Sequence, residues 1–176
     1  MPKYKPEEPP LIYADSDVYL DLITKNKQPH LGTGEQRGRA AYELFRAVDE
    51  GRVKLAASSL VQAEVGANGE SQKQTERIRM LLERWWTSPE TIWREVDRHI
   101  ARKAIELSIE WRGRGIGDSK MSAADATHLA VAVDLGCDFF FTYDHGFPHN
   151  QSVNGVQVMR PEVVWPQTLL DQAVGE

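Results

Sequence analysis

The stretch Leu11-Ile12-Tyr13-Ala14-Asp15-Ser16-Asp17-Val18 decides the fold. Its four apolar residues after Pro9-Pro10 read as a short buried strand, and Asp15 or Ser16 can cap a helix running on through Val18, Leu22 and Ile23. A strand that delivers acids directly into a helix start is the opening of a βα unit. The same grammar recurs downstream. Val53 to Ala57 reads as a strand, followed by Ser58 or Ser59 as the cap of a helix carrying Leu60, Val61 and Val65. Phe139-Phe140-Phe141 is the third clear strand, and Thr91-Ile92-Trp93 and Val156 to Met159 supply two short ones. Helical spacing of apolar residues marks Glu35 to Asp49, Ser71 to Trp86, Asp97 to Trp111 and Met121 to Leu135, the last capped by Ser122. Gln28 to Gly34 reads as a loop, and Gly113, Gly115 and Gly117 end the Asp97 helix. Strands alternating with helices predict an α/β fold with a mostly parallel central sheet.

At 176 residues the chain fits one domain, and a 41% apolar content is enough for a core without disulfides or structural metal. The expected organisation is a proline-rich leader at 1–10, a single domain at 11–161 and a tail at 162–176. A formal charge of −5 argues against gripping nucleic acid by bulk positive charge. Cys137 is the lone cysteine, which excludes an intramolecular disulfide and a cysteine-cluster zinc site. No apolar run approaches the roughly 20 residues needed to cross a bilayer. The leader lacks a signal peptide's basic start and apolar middle, so a cytoplasmic protein is expected, with no membrane partner.

In a parallel sheet, ligands bind beyond the carboxyl ends of the strands, and acids collect at that edge here. Asp15 and Asp17 follow the first strand, Glu64 lies early in the helix after the second, Asp125 near the start of its helix, and Asp144 after the Phe139 strand. Each has a bland reading. Asp15 and Asp17 can be helix caps, Glu64 a solvated helix residue, Asp144 a turn residue. Asp125, among alanines, needs a partner if it is buried. Taken together, carboxylates converging on one edge repel unless cations neutralise them, and an oxygen-only donor set suits Mg²⁺ or Mn²⁺.

Four segments carry a resemblance. Ile12 to Val18, Ser58 to Val65, Ala124 to Ala132 and Phe141 to Asp144 resemble, in order, the four acidic motifs of the PIN domain, over about Leu11 to Pro161. The resemblance implies a three-layer α/β/α fold and a metal-dependent endoribonuclease of single-stranded RNA, commonly the VapC-like toxin of a toxin–antitoxin pair. It also implies an antitoxin partner and a homodimer. By the same resemblance Asp15, Glu64, Asp125 and Asp144 form the catalytic cluster. Asp15, Asp125, Asp144 and Asp17 would hold Mg²⁺ or Mn²⁺, with Ser16 and Thr142 supporting the carboxylates. Asp17 stands where the family usually has asparagine, and Gly146 where many members carry one more acid.

His128 lies three residues from Asp125 on the same helix face, a carboxylate and imidazole pair that could bind a metal such as Mn²⁺, and reads first as a packing residue. The stretch from Lys73 to Lys103 is locally basic and contains Trp85, Trp86 and Trp93. It offers Arg94, Arg98, Arg102 and Lys103 as RNA contacts, against the reading of a solvated helix face with core tryptophans. Two alternatives stay open. Asp15-Ser16-Asp17-Val18 also matches the nucleophile motif of haloacid-dehalogenase-like phosphatases, in which Glu64 and Asp125 have no role; and a PIN fold can serve as a non-catalytic RNA- or protein-binding module.

Overall fold

The computed structural model describes residues 8–166. The expected leader at 1–10 and tail at 162–176 therefore fall partly outside the described residues.

Six strands form one sheet in the order β3-β2-β1-β4-β6-β5. They are β1 (Leu11–Ala14), β2 (Lys54–Ser58), β3 (Ile92–Arg94), β4 (Phe139–Phe141), β5 (Gln151–Val153) and β6 (Val156–Met159). All neighbours pair in parallel except β5 and β6. Seven helices accompany them: α1 (Ser16–Thr24), α2 (Arg37–Asp49), α3 (Ser59–Ala67), α4 (Gly69–Gln72), α5 (Glu76–Thr87), α6 (Arg98–Glu110) and α7 (Ala123–Asp134).

Because strand side chains alternate between faces, each short apolar strand feeds two cores. Ile12, Ala14, Leu55, Ala57, Phe139 and Phe141 pack against α1, α2, α3 and α5, whereas Tyr13, Ala56 and Phe140 pack against α6 and α7. The result is the three-layer α/β/α arrangement. Trp165 belongs to the first core, so packing continues beyond Pro161. No helix among the described residues is long and apolar enough to cross a membrane.

Two elements depart from the expected pattern. The helix expected over Ser71 to Trp86 is split into α4 and α5, because Thr75 adopts extended backbone (ψ 157) and restarts the helix. The expected strand over Val156 to Met159 is present as β6, but β5 and its hairpin with β6 lie outside the sequence expectation. Its turn is Asn154-Gly155, both at positive φ (48 and 91), which is the two-residue geometry that asparagine–glycine favours.

The chain runs from β1 outward through β2 to β3, then returns to the other side of β1 as β4. This reversal opens a crevice at the carboxyl ends of β1 and β4, the place where ligands bind in such sheets.

Candidate active site

Asp15 leaves β1 directly into that crevice. Its backbone N–H donates to Phe141 O at 2.9 Å, fixing it to the end of β4. As the N-cap of α1 it accepts from Ser16 N through Oδ1 at 2.7 Å, while the Thr142 hydroxyl donates to Oδ2 at 2.9 Å. Burial pushes the Asp15 carboxyl above its ordinary range, against the opposing pull of His128, Thr142 and Ser16. Ser16 acts through its backbone and Thr142 through its side chain, so both hold the carboxylate.

Glu64 comes from α3, which begins where Ser58 caps it by accepting from Val61 N. His128, one turn into α7, is 1% exposed and joins the two acids. Its Nε2 lies 2.7 Å from Glu64 Oε2 and 3.7 Å from Asp15 Oδ1. Its Nδ1 lies 2.7 Å from the Tyr13 hydroxyl, which in turn meets Ser58 Oγ at 2.8 Å. Burial alone would lower the His128 pKa, but the Glu64 hydrogen bond and the Asp15 charge outweigh it and raise it. Reciprocally, the His128 bond holds Glu64 below its ordinary value. Among the described residues, Asp15, Glu64 and His128 form the one cluster whose donor atoms lie within 4.8 Å of one another.

The remaining acids sit around this cluster in other bonds. Asp125 and Ser122 form a reciprocal capping box, with Ser122 N donating to Asp125 Oδ2 at 2.7 Å and Asp125 N donating to Ser122 Oγ at 3.1 Å. Its charge nevertheless reaches Asp15 and His128, raising the pKa of both. Asp144 is exposed, and its Oδ1 accepts from Gly146 N at 2.6 Å, an Asx-type turn. It ties to Asp15 only through Thr142, whose Oγ1 accepts from Asp144 N at 3.0 Å. Asp17 Oδ2 accepts from Tyr143 N at 2.8 Å while its Oδ1 is buried with no hydrogen-bond partner. Burial and the Asp15 charge push the Asp17 carboxyl well above its ordinary range.

Two of the four basic candidates are engaged by acids. Arg94 Nε and Lys103 Nζ both bond Asp134, at 2.8 and 2.9 Å, and Arg94 also pairs with Asp97. Arg98 and Arg102 are exposed on α6. Trp85 and Trp86 lie in the first core, Trp85 stacked on Phe45 at 4.4 Å, so neither offers a face to a base. Sequence reasoning set His128 aside as packing. Its three-residue spacing from Asp125 was visible in the sequence, but the partners that the structure gives it, Glu64 and Tyr13, were not.

The PIN domain model matches residues 30–152. The chain belongs to the PIN domain family. The match includes Glu64, Asp125 and Asp144 and begins after Asp15, which the structure itself places beside them. PIN-fold structures with similar architecture include VapC20 of Mycobacterium tuberculosis, described as a Sarcin-Ricin loop cleaving toxin. It is 17% identical over 76% of this chain and 89% of that one, with a TM-score of 0.52. VapBC2 from Rickettsia felis, solved bound to a DNA fragment from its promoter, is 14% identical over 86% and 99%, with a TM-score of 0.56. At such identities the likeness is one of fold. No curated protein matches the sequence. PIN membership removes the dehalogenase-like alternative, and the burial of Asp17 Oδ1 agrees, since a general acid must face its substrate.

Proposed function

We propose that this PIN domain is a metal-dependent endoribonuclease that hydrolyses phosphodiester bonds of single-stranded RNA, and that it is the toxin of a toxin–antitoxin pair. The observation that carries the reading is the meeting of Asp15 and Glu64 around His128 at the sheet crevice of a PIN fold. The donor set fits a hard divalent ion: two carboxylates from different elements, each with an oxygen facing the cluster, and further acids at its border. Asp15 and Glu64 would hold Mg²⁺ or Mn²⁺, with Asp17, Asp125 and Asp144 the further carboxylates of that edge. Bound there, such an ion supplies neutralising charge at the scissile phosphate and acidifies a water.

The chain's own residues do the positioning. Thr142 and the Ser16 N–H lock both oxygens of Asp15 in place, so the carboxylate needs no reorganisation. The Ser58–Tyr13–His128 chain fixes the imidazole ring, and Nε2 holds a proton between Glu64 and Asp15. That proton offsets the repulsion between the two acids in the resting fold.

Partner surfaces support the toxin reading. A mostly apolar cleft of about 550 Å³ lies between α1, α2 and α5, lined by Leu22, Tyr42, Ile78 and Leu81, and suits an apolar antitoxin segment. On α6, Ile105 and Ile109 are 60% and 61% exposed on the face away from the core, which suits pairing with a second copy.

The test incubates the protein with end-labelled single-stranded RNA in Mn²⁺, Mg²⁺ or EDTA, comparing wild type with Asp15→Asn and Asp125→Asn. Cleavage that requires metal and both acids is expected. A folded wild type that binds RNA and cleaves none under any metal refutes the enzyme and leaves the binding module.

A further inference from the structure

The glycine-rich loop between α6 and α7 is seated beside the acid cluster by direct backbone contact. Ile116 N–H donates to His145 O at 2.7 Å. A Cβ on Gly115 would stand 2.7 Å from that same oxygen, and a Cβ on Gly146 would stand 2.6 Å from Lys120 O. Only glycine allows two chains to approach so closely. The turn on which the loop rests contains Asp144, linked through Thr142 to Asp15. Its carboxyl end runs into Ser122 and the capping box of Asp125. The middle and the carboxyl end of the loop are therefore fastened to the acid edge, while its amino end leaves α6 at Arg112.

The loop carries Arg112, Arg114 and Lys120 against the single acid Asp118. All three cations are exposed, and none is in an ion pair among the described residues. The Arg114 guanidinium lies 5.0 Å from the Trp111 ring centre, a contact made by its face that leaves its N–H donors unspent. Two cations of the basic stretch contrast with these. Arg94, at the end of β3, and Lys103, on α6, are bound to Asp134, nine residues along α7 from Asp125 and so about 13 Å farther down the helix.

We propose that the loop 112–120 is the substrate clamp of this site, with Arg112, Arg114 and Lys120 contacting phosphates of single-stranded RNA that flank the bond at the acid cluster. The proposal rests on the nuclease reading for its substrate. Acids that bind a metal leave the rest of a polyanion without neutralisation, and the loop that carries these three cations is seated on that edge through residues 115–120.

The experiment measures anisotropy of a fluorescein-labelled single-stranded RNA of about 12 nucleotides, a length suited to one binding groove. The full chain is used in EDTA across a KCl series. The Arg112→Ala/Arg114→Ala/Lys120→Ala variant is expected to bind at least about tenfold more weakly. Its log–log salt slope should fall by about 2, since each lost single-strand phosphate contact removes about 0.7. Lys54→Ala, at the far end of β2, should change affinity less than about twofold, the size of a screened surface charge. With Mn²⁺, the triple variant should raise KM and leave kcat nearly unchanged. Gly115→Val keeps every charge but prevents seating, and should weaken binding in the same direction. Wild-type affinity and slope in the triple variant overturn the clamp, as does a loss confined to kcat. If the wild type cleaves and the triple variant is indistinguishable, the clamp fails while the nuclease stands. If the wild type cleaves nothing yet its RNA binding falls in the triple variant, the nuclease fails while the clamp stands.

Discussion

Replacing His128 by phenylalanine keeps an aromatic ring in a site that is 1% exposed and removes only its hydrogen bonds and charge. The bond to Glu64 is charge-assisted, worth about 1.5–3 kcal/mol in general. The Glu64 side chain is 32% exposed, so solvent screening favours the lower part of that range. The Tyr13 hydroxyl keeps Ser58 as a partner and loses about 0.5–1 kcal/mol. Asp15, whose side chain is 7% exposed, is left without the imidazole 3.7 Å away, a cost of about 1 kcal/mol. The expected destabilisation is about 3 kcal/mol, which in a chain of this length lowers Tm by roughly 6–12 °C. Circular dichroism melts in EDTA measure it. The pH dependence has a definite sign. The folded chain holds the His128 proton more tightly than the unfolded chain, so its contribution is full below the unfolded value of about 6.5 and is lost as pH rises through the raised folded value. The Tm gap between wild type and His128→Phe should therefore narrow toward alkaline pH. A variant melting within about 2 °C of wild type, on a transition this steep, or a gap that widens with pH, refutes the assignment of His128 as the cation between the acids.

Asp125→Asn retains an oxygen that can accept from Ser122 N, so its urea unfolding free energy should stay within about 1 kcal/mol of wild type while Mn²⁺-dependent RNA cleavage is lost; a larger drop marks Asp125 as chiefly structural. Asp134, held down to about 2 by Arg94 and Lys103, contributes stability that is present above its unfolded pKa and is lost as pH falls through about 2. Discounted for solvent exposure, Asp134→Ala should cost about 1 kcal/mol at neutral pH, and urea midpoints of the two proteins should converge in strong acid. Trp85→Ala should cost about 3–5 kcal/mol, because the ring stacks on Phe45 and its Nε1–H donates to Asp49 at 2.8 Å. Trp85→Phe, which keeps the fold, should leave RNA affinity unchanged; a loss there would return the tryptophan to the nucleic-acid surface.

What the sequence disclosed and what it hid follow from the range of the interactions involved. Strand and helix starts are local, so the Leu11 strand with its Asp15 cap and the Ser58 and Ser122 caps were legible from neighbouring residues. The Asn154-Gly155 turn was equally local and was passed over, since only the second strand of the hairpin had a clear apolar alternation. His128 was hidden for a different reason. Its partners Tyr13 and Glu64 are 115 and 64 residues away, and an isolated histidine among Leu129, Ala130 and Val131 carries no mark of them. The same gap hid the ion pairs of two residues of the basic stretch. Lys103 and Arg94 look available until α7 brings Asp134 against both.

The acid edge also changes what the net charge of −5 implies. Four acids meeting without relief would destabilise the fold, and from the sequence a metal ion is the only source of relief in view. The structure supplies internal relief first. His128 stands between Asp15 and Glu64, Thr142 and a backbone N–H satisfy Asp15, and Asp125 and Asp144 are each tied to backbone N–H groups. The chain's own groups therefore offset part of the repulsion among these acids. A site built this way still repels RNA at long range, so the placement of cations matters more than their number. Arg94 of β3 and Lys103 of α6 are engaged by Asp134 of α7, whereas Arg98 and Arg102 stay exposed on α6. The uncommitted ones closest in the chain to Asp125 lie on the glycine loop, whose seating against the Asp144 turn depends on Gly115 and Gly146. On the proposed clamp, the cations that count are those whose backbone is fixed to the acid edge, so substitution of Arg98 and Arg102 on α6 should weaken RNA binding less than substitution of Arg112, Arg114 and Lys120.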